Sequence, residues 1–477
     1  MPSYMYFLLA LAALLVGYFV YGTIVERIFG ANPARPTPVC TMSDGVDYVE
    51  MSPFKVFLIQ LLNIAGLGPV FGPILGALYG PSALLWVVIG CIFTGAVHDY
   101  FSGMLSVRYN GKSLPDIVGY NLGDAIKQIM RVFSVVLLIL VGVVFVAGPA
   151  GLLNYLTGVN TMYFVAIIFA YYFFATILPI DKIIGRIYPF FAVLLVFMAV
   201  GLITALFVKG YAFYPAAEWT NQHPAGLPIW PMVFITIACG ACSGFHATQS
   251  PMMARCLSNE KYGRPVFYGA MIAEGIIGLI WVTLGMSFYP DVAALAEALG
   301  PKGNAALVVN NISVGLLGSF GGALAVLGVV VLPVTSGDTA FRSARLTIAD
   351  ALNYDQRPNV NRLLVAVPLF VIGVALNFIP FGMLWRYFGW ANQALAAIAL
   401  WAAAAYLLHR AKCHWIATVP AMFMTAVSTT YICFEKSMGF GMTYDMANIV
   451  GIGSAVLCGV LLLTLGRKIL PQDDPNA

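Results

Sequence analysis

A chain of 477 residues that is 61% hydrophobic and 9% charged, with a mean hydropathy of +0.88, cannot clothe a water-soluble surface, since soluble domains carry about 25% charged residues. The net charge of +4 is spread between apolar segments instead of forming a patch, so a lipid bilayer is the expected partner and nucleic acid is not. Eight cysteines are scattered; Cys239 and Cys242 have C-x-x-C spacing but lie in an apolar run, so packing is preferred to redox or zinc chemistry, and neither a metal site nor a cofactor is expected.

The first apolar run, residues 5–25, follows an uncharged start (MPSYMYF) and precedes Arg27 and Arg35, which predicts a permanent span and not a cleaved signal. Windows of about 20 apolar residues predict twelve more, at 55–80, 82–106, 132–157, 161–180, 188–208, 229–254, 266–289, 313–338, 363–381, 391–408, 415–434 and 447–466. With odd spans exiting to the cytoplasm, only Lys209, Lys302, Arg386 and Lys436 of the 24 basic residues fall outside. Loops holding Lys182, Arg186, Arg357, Arg467 and Lys468, among others, fall inside. The positive-inside rule thereby supports an outside N-terminus and a cytoplasmic C-terminus. None of the polar connections is long enough for a soluble domain.

Three spans carry helix breakers. In the second, AGLGP at 65–69 places Gly66 and Gly68 before Pro69, which predicts an unwound segment; Gly68, Gly72, Gly76 and Gly80 continue as a close-packing face. In the seventh, ACGACSGFHATQSPMMARC (238–256) is unusually polar, and 243–248 is the expected break. In the ninth, Pro333 and Gly337 flank Thr335, Ser336, Asp338 and Thr339, the third expected interruption. Irregular backbone at membrane depth is tolerated only against protein or a hydrated cavity. Breaks in the second and seventh spans, which enter from opposite sides, point to an inverted-repeat secondary transporter. The expected fold is therefore all-α and polytopic. It has an extra N-terminal span and loop (1–50), a first five-helix repeat (51–228), an inverted second repeat (229–410) and two C-terminal spans (411–477).

Five ionisable residues lie at membrane depth, where each is costly and marks a candidate site: His98, Asp99, His246, Glu274 and Asp338. His98 lies ten residues before Arg108, Glu274 ten beyond Arg264 and His246 nine before Arg255. That places them about 14–15 Å from the cytoplasmic boundary, near half of the hydrocarbon thickness. Adjacent helical residues diverge by about 100°, so His98 and Asp99 cannot both face one cavity; one orients while the other faces the path. The bland alternatives are carbonyl-bonded histidines, Glu274 as a structural partner and an ion pair of Asp338 with Arg342. Phe71 and Phe245 sit beside the breaks and could line a cavity, whereas Trp219, Trp230 and Trp385 look like interfacial anchors. Oxygen ligands at 335–339 suit Na⁺, and a shielded carboxylate suits a coupling proton.

The strings AGLGPVFGPILGA (65–77), GAVHDY (95–100), GMLSVRYNGKSLPDIVGYNLG (103–123), SGFHATQSPMMARC (243–256), GRPVFYGAMIAEG (263–275) and LPVTSGDTAFRSARL (332–346) resemble the carbon starvation protein A (CstA) family. The resemblance implies nutrient uptake across the bacterial inner membrane, with peptides or proton-coupled pyruvate as substrates. It also implies an architecture similar to the amino acid–polyamine–cation transporters.

The expected function is thus ion-driven uptake of a small molecule. Gly66, Gly68, Phe71, His98, Ser243, Phe245, His246 and Gln249 are candidates for substrate binding. Asp99, Glu274, Thr335, Ser336, Asp338 and Thr339 are candidates for handling H⁺ or Na⁺. No GxxxxGK[ST] motif suggests nucleotide use, and five histidines without HExxH spacing argue against an intramembrane zinc protease. A passive channel or transporter-like sensor is the alternative from another class; oligomeric state is not encoded legibly.

Overall fold

The computed structural model describes residues 4–45, 47–177, 180–212, 219–300, 303–356 and 358–466. Lys302, Arg357, Arg467 and Lys468, used above to orient the chain, lie outside the described residues, as do the side chains of Lys182 and Arg186. Every regular element among the described residues is helical.

In chain order the helices are α1 (Tyr4–Phe29), α2 (Pro53–Ile64), α3 (Gly68–Tyr79), α4 (Pro81–Arg108), α5 (Leu114–Leu122), α6 (Asp124–Thr157), α7 (Thr161–Ile177) and α8 (Ile180–Val208). They continue with α9 (Ile229–Thr236), α10 (Gly244–Ala254), α11 (Glu260–Phe288), α12 (Val292–Leu299), α13 (Ala305–Leu352), α14 (Asn359–Leu376), α15 (Phe381–His409), α16 (Trp415–Phe434) and α17 (Tyr444–Leu465). Among the described residues, ten helices are long and apolar enough to cross a membrane, or eleven with the bent α2–α3 pair counted as one span. The chain is a multi-pass membrane protein. Its centre is built by α15, 89% buried in its most apolar window, and α11, 78%, whereas α1 and α17, each 28% buried, turn large apolar side chains outward. That outward oil is the lipid-facing surface.

The helices break where local chemistry permits it. Helix α2 stops at Ile64, and after Ala65 (φ −75°, ψ 69°) the chain bends by 47° into α3, whose second residue, Pro69, needs no amide partner. The glycine ladder beyond it faces the second break. A Cβ on Gly68 would collide with the Cys239 side chain, one on Gly72 would stand 2.9 Å from the Thr236 carbonyl oxygen, and one on Gly76 would strike Ile237. The ladder lets the two interrupted segments touch backbone to backbone.

The second interruption lies at 237–243, centred on Gly240 at φ +88°, and α10 is helical from Gly244 onward. The expected break at 243–248 is therefore displaced toward the N-terminus: polar side chains drew attention to residues that are in fact helical. The expected interruption at 332–346 does not occur. Helix α13 continues through Pro333 without a break, and the Thr335 and Ser336 hydroxyls lie within hydrogen-bond reach of both the Leu332 carbonyl (2.7 and 3.1 Å) and the Leu62 carbonyl of α2 (2.8 and 3.2 Å). Its departure from helical geometry is at Gly318 (φ 71°), which separates a short arm, 305–317, from the long helix.

Candidate functional site

Four of the five intramembrane ionisable groups meet beside the second break. Helix α4 supplies His98 and Asp99, α10 supplies His246 and α11 supplies Glu274; all are at most 1% exposed. His98 Nδ1 lies 2.8 Å from Asp99 Oδ1, and His246 Nδ1 lies 2.9 Å from Asp99 Oδ2. His246 Nε2 in turn stands 3.3 Å from Glu274 Oε2, while Glu274 Oε1 accepts the backbone N–H of Gly240 at 3.1 Å. An ionised Asp99 can only accept, so both imidazoles present Nδ1–H to it, and a neutral His246 then aims a bare Nε2 at Glu274. Two acceptors facing each other in a dry interior repel unless a positive species lies between them. Asp99 faces the break while His98 stands behind it.

The backbone ends exposed by the breaks are capped by side chains of neighbouring helices. Asn392 of α15 accepts the Phe245 N–H (2.6 Å) and donates to Ser243 Oγ (2.9 Å), tying down the start of α10. The next residue, Gln393, donates to the Phe234 carbonyl at the end of α9 (2.9 Å). Trp86 Nε1 donates to the Ile237 carbonyl (2.9 Å). On the first break, Thr335 and Ser336 donate to the Leu62 carbonyl (2.8 and 3.2 Å). Sequence reasoning missed Asn392 and Gln393. Their signal is an adjacent amide pair inside an otherwise apolar span, less conspicuous than charged groups.

Asp338 belongs to a different place. It accepts from Tyr171 of α7 at 2.7 Å, while Arg342 reaches the Ala175 carbonyl and stands 3.6 Å from Asp47. Thr339 back-bonds to the carbonyls of Thr335 and Ser336 (3.3 and 3.0 Å). Gln249 donates to Thr248 (3.2 Å), and Gln60 reaches Ser250 (3.1 Å). Phe71, Trp385, Phe388, Phe145 and Phe245 form a chain of ring contacts with centroids 5.5–5.9 Å apart. Trp385, expected as an interfacial anchor, instead lines a narrow cleft with Gly68, Thr236, Ala238, Cys239 and Gly389. This small cleft lies between residues of the two breaks, with Cys239 in its wall. Gly66 contributes no cleft wall; a Cβ there would drive into the Phe145 ring.

On the predicted cytoplasmic side the ends are latched. Arg108 grips Glu260 with two bonds, Nε–Oε1 2.6 Å and Nη2–Oε2 2.9 Å, both side chains being nearly or fully buried. The segment after α1 joins through Gly30, whose carbonyl accepts from Arg108 (2.9 Å), and Asn32, whose N–H donates to Glu260 (2.7 Å). In the same segment, burial pushes the Tyr48 phenol up, and Arg255 beside its ring pulls the other way.

Comparisons with known proteins agree with this architecture. The profile described as "Carbon starvation protein CstA" matches residues 3–153, 146–314 and 291–431. An uncharacterized membrane protein of Haemophilus influenzae is 47% identical over 62% of this chain and 94% of its own length. The peptide transporter CstA of Bacillus subtilis is 26% identical over 97% of this chain and 94% of its own. The pyruvate/proton symporter BtsT of Escherichia coli is 26% identical over 56% of this chain and 46% of its own. Among solved structures, Mhp1, a nucleobase-cation-symport-1 family transporter in a closed conformation, superposes with a TM-score of 0.57 at 14% identity, covering 92% of this chain and 96% of that one. At that identity the likeness speaks for the fold alone.

Proposed function

Because the chain belongs to the carbon starvation protein CstA family, we propose that it is a secondary active transporter that takes up peptides or related small organic nutrients across the bacterial inner membrane. Pyruvate moved with protons is the second substrate class, favoured by the similarity to BtsT. The observation that carries the mechanism is the meeting of two broken helices with the His98–Asp99–His246–Glu274 row at their junction.

In this reading α7 and the α9–α10 pair also cross the membrane, giving thirteen spans. Residues 51–228 and 229–410 form two inverted five-helix repeats, preceded by 1–50 and followed by 411–477. The N-terminus lies outside and the C-terminus in the cytoplasm. In an opened form the substrate is read at the junction of the two breaks, by Gly66, Gly68 and Phe71 on one and Ser243, Phe245, His246 and Gln249 on the other, with His98 behind. A proton shared between His246 and Glu274 and relayed through Asp99 couples uptake to the gradient. Each transfer moves charge between groups already within 3.3 Å. Sodium is the second coupling ion to test, because Thr335, Ser336 and the Leu62 carbonyl converge at the first break, with Asp338 and Thr339 one turn on.

Proteoliposomes bearing the purified chain decide the matter. Uptake of radiolabelled di- and tripeptides and of pyruvate is measured under an imposed proton gradient, with and without Na⁺. Concentrative uptake of one class that collapses with a protonophore, and that is lost in Glu274→Gln, is the expected result. Equal uptake with and without any gradient refutes active transport and leaves a passive channel.

A further inference from the structure

The junction holds one group the transport reading leaves unused: the thiol of Cys239. Its Sγ, one imidazole nitrogen of His246 and one carboxylate oxygen of Glu274 all lie within 4.8 Å of one another, fully buried. His246 Nε2 and Glu274 Oε2 stand 3.3 Å apart, yet neither atom finds a hydrogen bond. That combination is poor for a hydrogen bond and good for two ligands of one ion. Two donors each about 2.0–2.1 Å from a tetrahedral metal are about 3.3 Å apart.

The surroundings are those a metal centre needs. The other nitrogen of His246 is held by the Asp99 carboxylate (2.9 Å), which fixes the tautomer and raises the basicity of Nε2; Asp99 is steadied in turn by His98 (2.8 Å). Glu274 is oriented by the Gly240 N–H (3.1 Å). Asn392 Nδ2 donates to Cys239 Sγ at 3.6 Å and its thiol meets Ser243 Oγ at 3.2 Å, so a thiolate there keeps hydrogen-bonding partners. Cys239 also lines the small cleft between the two breaks.

We propose that Cys239 Sγ, His246 Nε2 and Glu274 Oε2 form a binding site for a divalent transition-metal ion of the zinc type, with Asp99 as a positioning residue. A thiolate and a carboxylate balance the two positive charges of the ion, so the centre is neutral in a dry interior. Binding releases the thiol proton. Three protein donors leave the fourth tetrahedral position to a water or other exogenous ligand. A metal and the shared proton occupy the same gap, so they exclude each other. The site departs from the sequence expectation of no metal, and Cys239 finds its partners on α10 and α11 instead of in Cys242.

The test uses the full-length chain in detergent, stripped with EDTA, in a Cys40→Ser/Cys413→Ser background that removes the exposed thiols. Titration with Co²⁺ is expected to give one equivalent of bound metal with a thiolate-to-cobalt charge-transfer band, displaced by one equivalent of Zn²⁺. Cys239→Ser abolishes the band, whereas Cys242→Ser, an equally buried neighbour, keeps it. Asp99→Asn weakens Zn²⁺ binding by about 10- to 100-fold. Size-exclusion profiles identify any variant that fails to fold, and Cys242→Ser against Cys239→Ser then carries the comparison at matched chemistry. No bound equivalent in the background protein, or a band that survives Cys239→Ser, overturns the proposal. Uptake measured separately in EDTA shows whether the transport reading stands without it.

Discussion

Replacing Glu260 by Gln keeps the shape of a buried side chain and removes its charge, leaving the Arg108 guanidinium without its counter-ion. The pair is bidentate, at 2.6 and 2.9 Å, with side chains 5% and 0% exposed. Breaking a buried pair by removing one partner costs about 3–5 kcal/mol. Arg108 retains the Gly30 carbonyl (2.9 Å), the Tyr406 hydroxyl (3.4 Å) and the Phe29 ring (4.6 Å), so the lower end, about 3 kcal/mol, is expected. Because these contacts join α4, α11, α15 and the segment after α1, the loss falls on the closed arrangement of this end and not on any single helix. Three kcal/mol is about a 150-fold shift toward the opened form. The chain carries its own reporter: Cys256, fully buried against the Asp47 carbonyl. In a Cys40→Ser/Cys413→Ser background, maleimide modification of Cys256 is expected to accelerate by up to that factor. The charge-swapped pair Arg108→Glu/Glu260→Arg is expected to recover part of the protection. An unchanged labelling rate in Glu260→Gln refutes the assignment of this ion pair as the latch.

Gly68→Ala places a Cβ inside the Cys239 side chain, and overpacking of this kind costs about 1–3 kcal/mol; a lowered melting temperature in detergent that Cys239→Gly largely restores is the expected outcome, and an additive double mutant refutes the contact. Asn392→Leu leaves the Phe245 N–H buried without an acceptor at a cost of about 1–3 kcal/mol, read as faster amide exchange confined to the start of α10; exchange spread evenly over α15 instead means that Asn392 serves packing and not the cap.

The apolar cores of the spans were legible because lipid imposes length and composition together: the predicted 415–434 matches α16 and 447–466 falls within three residues of α17, whereas 313–338 and 391–408 are overrun by the longer α13 and α15. The first break was legible for a different reason: Gly66, Gly68 and Pro69 state their backbone preferences locally. The second was harder. Its geometry depends on Gly240, one glycine among several, while the conspicuous polarity of 243–250 belongs to a helix whose hydroxyls and amides serve its neighbours. The ninth span misled in the opposite sense. Pro333 reads as a breaker, yet α13 runs through it unbroken, and the Thr335 and Ser336 hydroxyls beside it reach across to the Leu62 carbonyl at the end of α2, a contact between helices that the sequence does not show. Equal depth correctly grouped His98, His246 and Glu274, yet depth says nothing about azimuth, so the separation of Asp338 from that group was invisible until α7 brought Tyr171 to it.

The caps explain how such a junction can be both stable and responsive. Backbone groups freed by the breaks at Leu62, Phe234, Ile237, Gly240 and Phe245 are each met by a side chain from α13, α15, α4, α11 and α15 respectively. Under the proposed transport function, a substrate carboxylate reading the Phe245 N–H would have to displace Asn392 Oδ1, and a cation reading the Leu62 carbonyl would have to displace two hydroxyls. Each hydrogen bond is worth a net 0.5–1.5 kcal/mol, about the worth of the ligand bond that replaces it. Exchange of caps for ligand is then nearly isoenergetic at each atom. The balance is set by what the released side chains do next. Asn392 and Gln393 are adjacent on one helix and hold opposite ends of the same break, so freeing one loosens the register of both. Under the proposed transport function, displacing these caps would free α9 and α10 to move against α15, an exchange that a junction closed by ordinary hydrophobic packing does not offer.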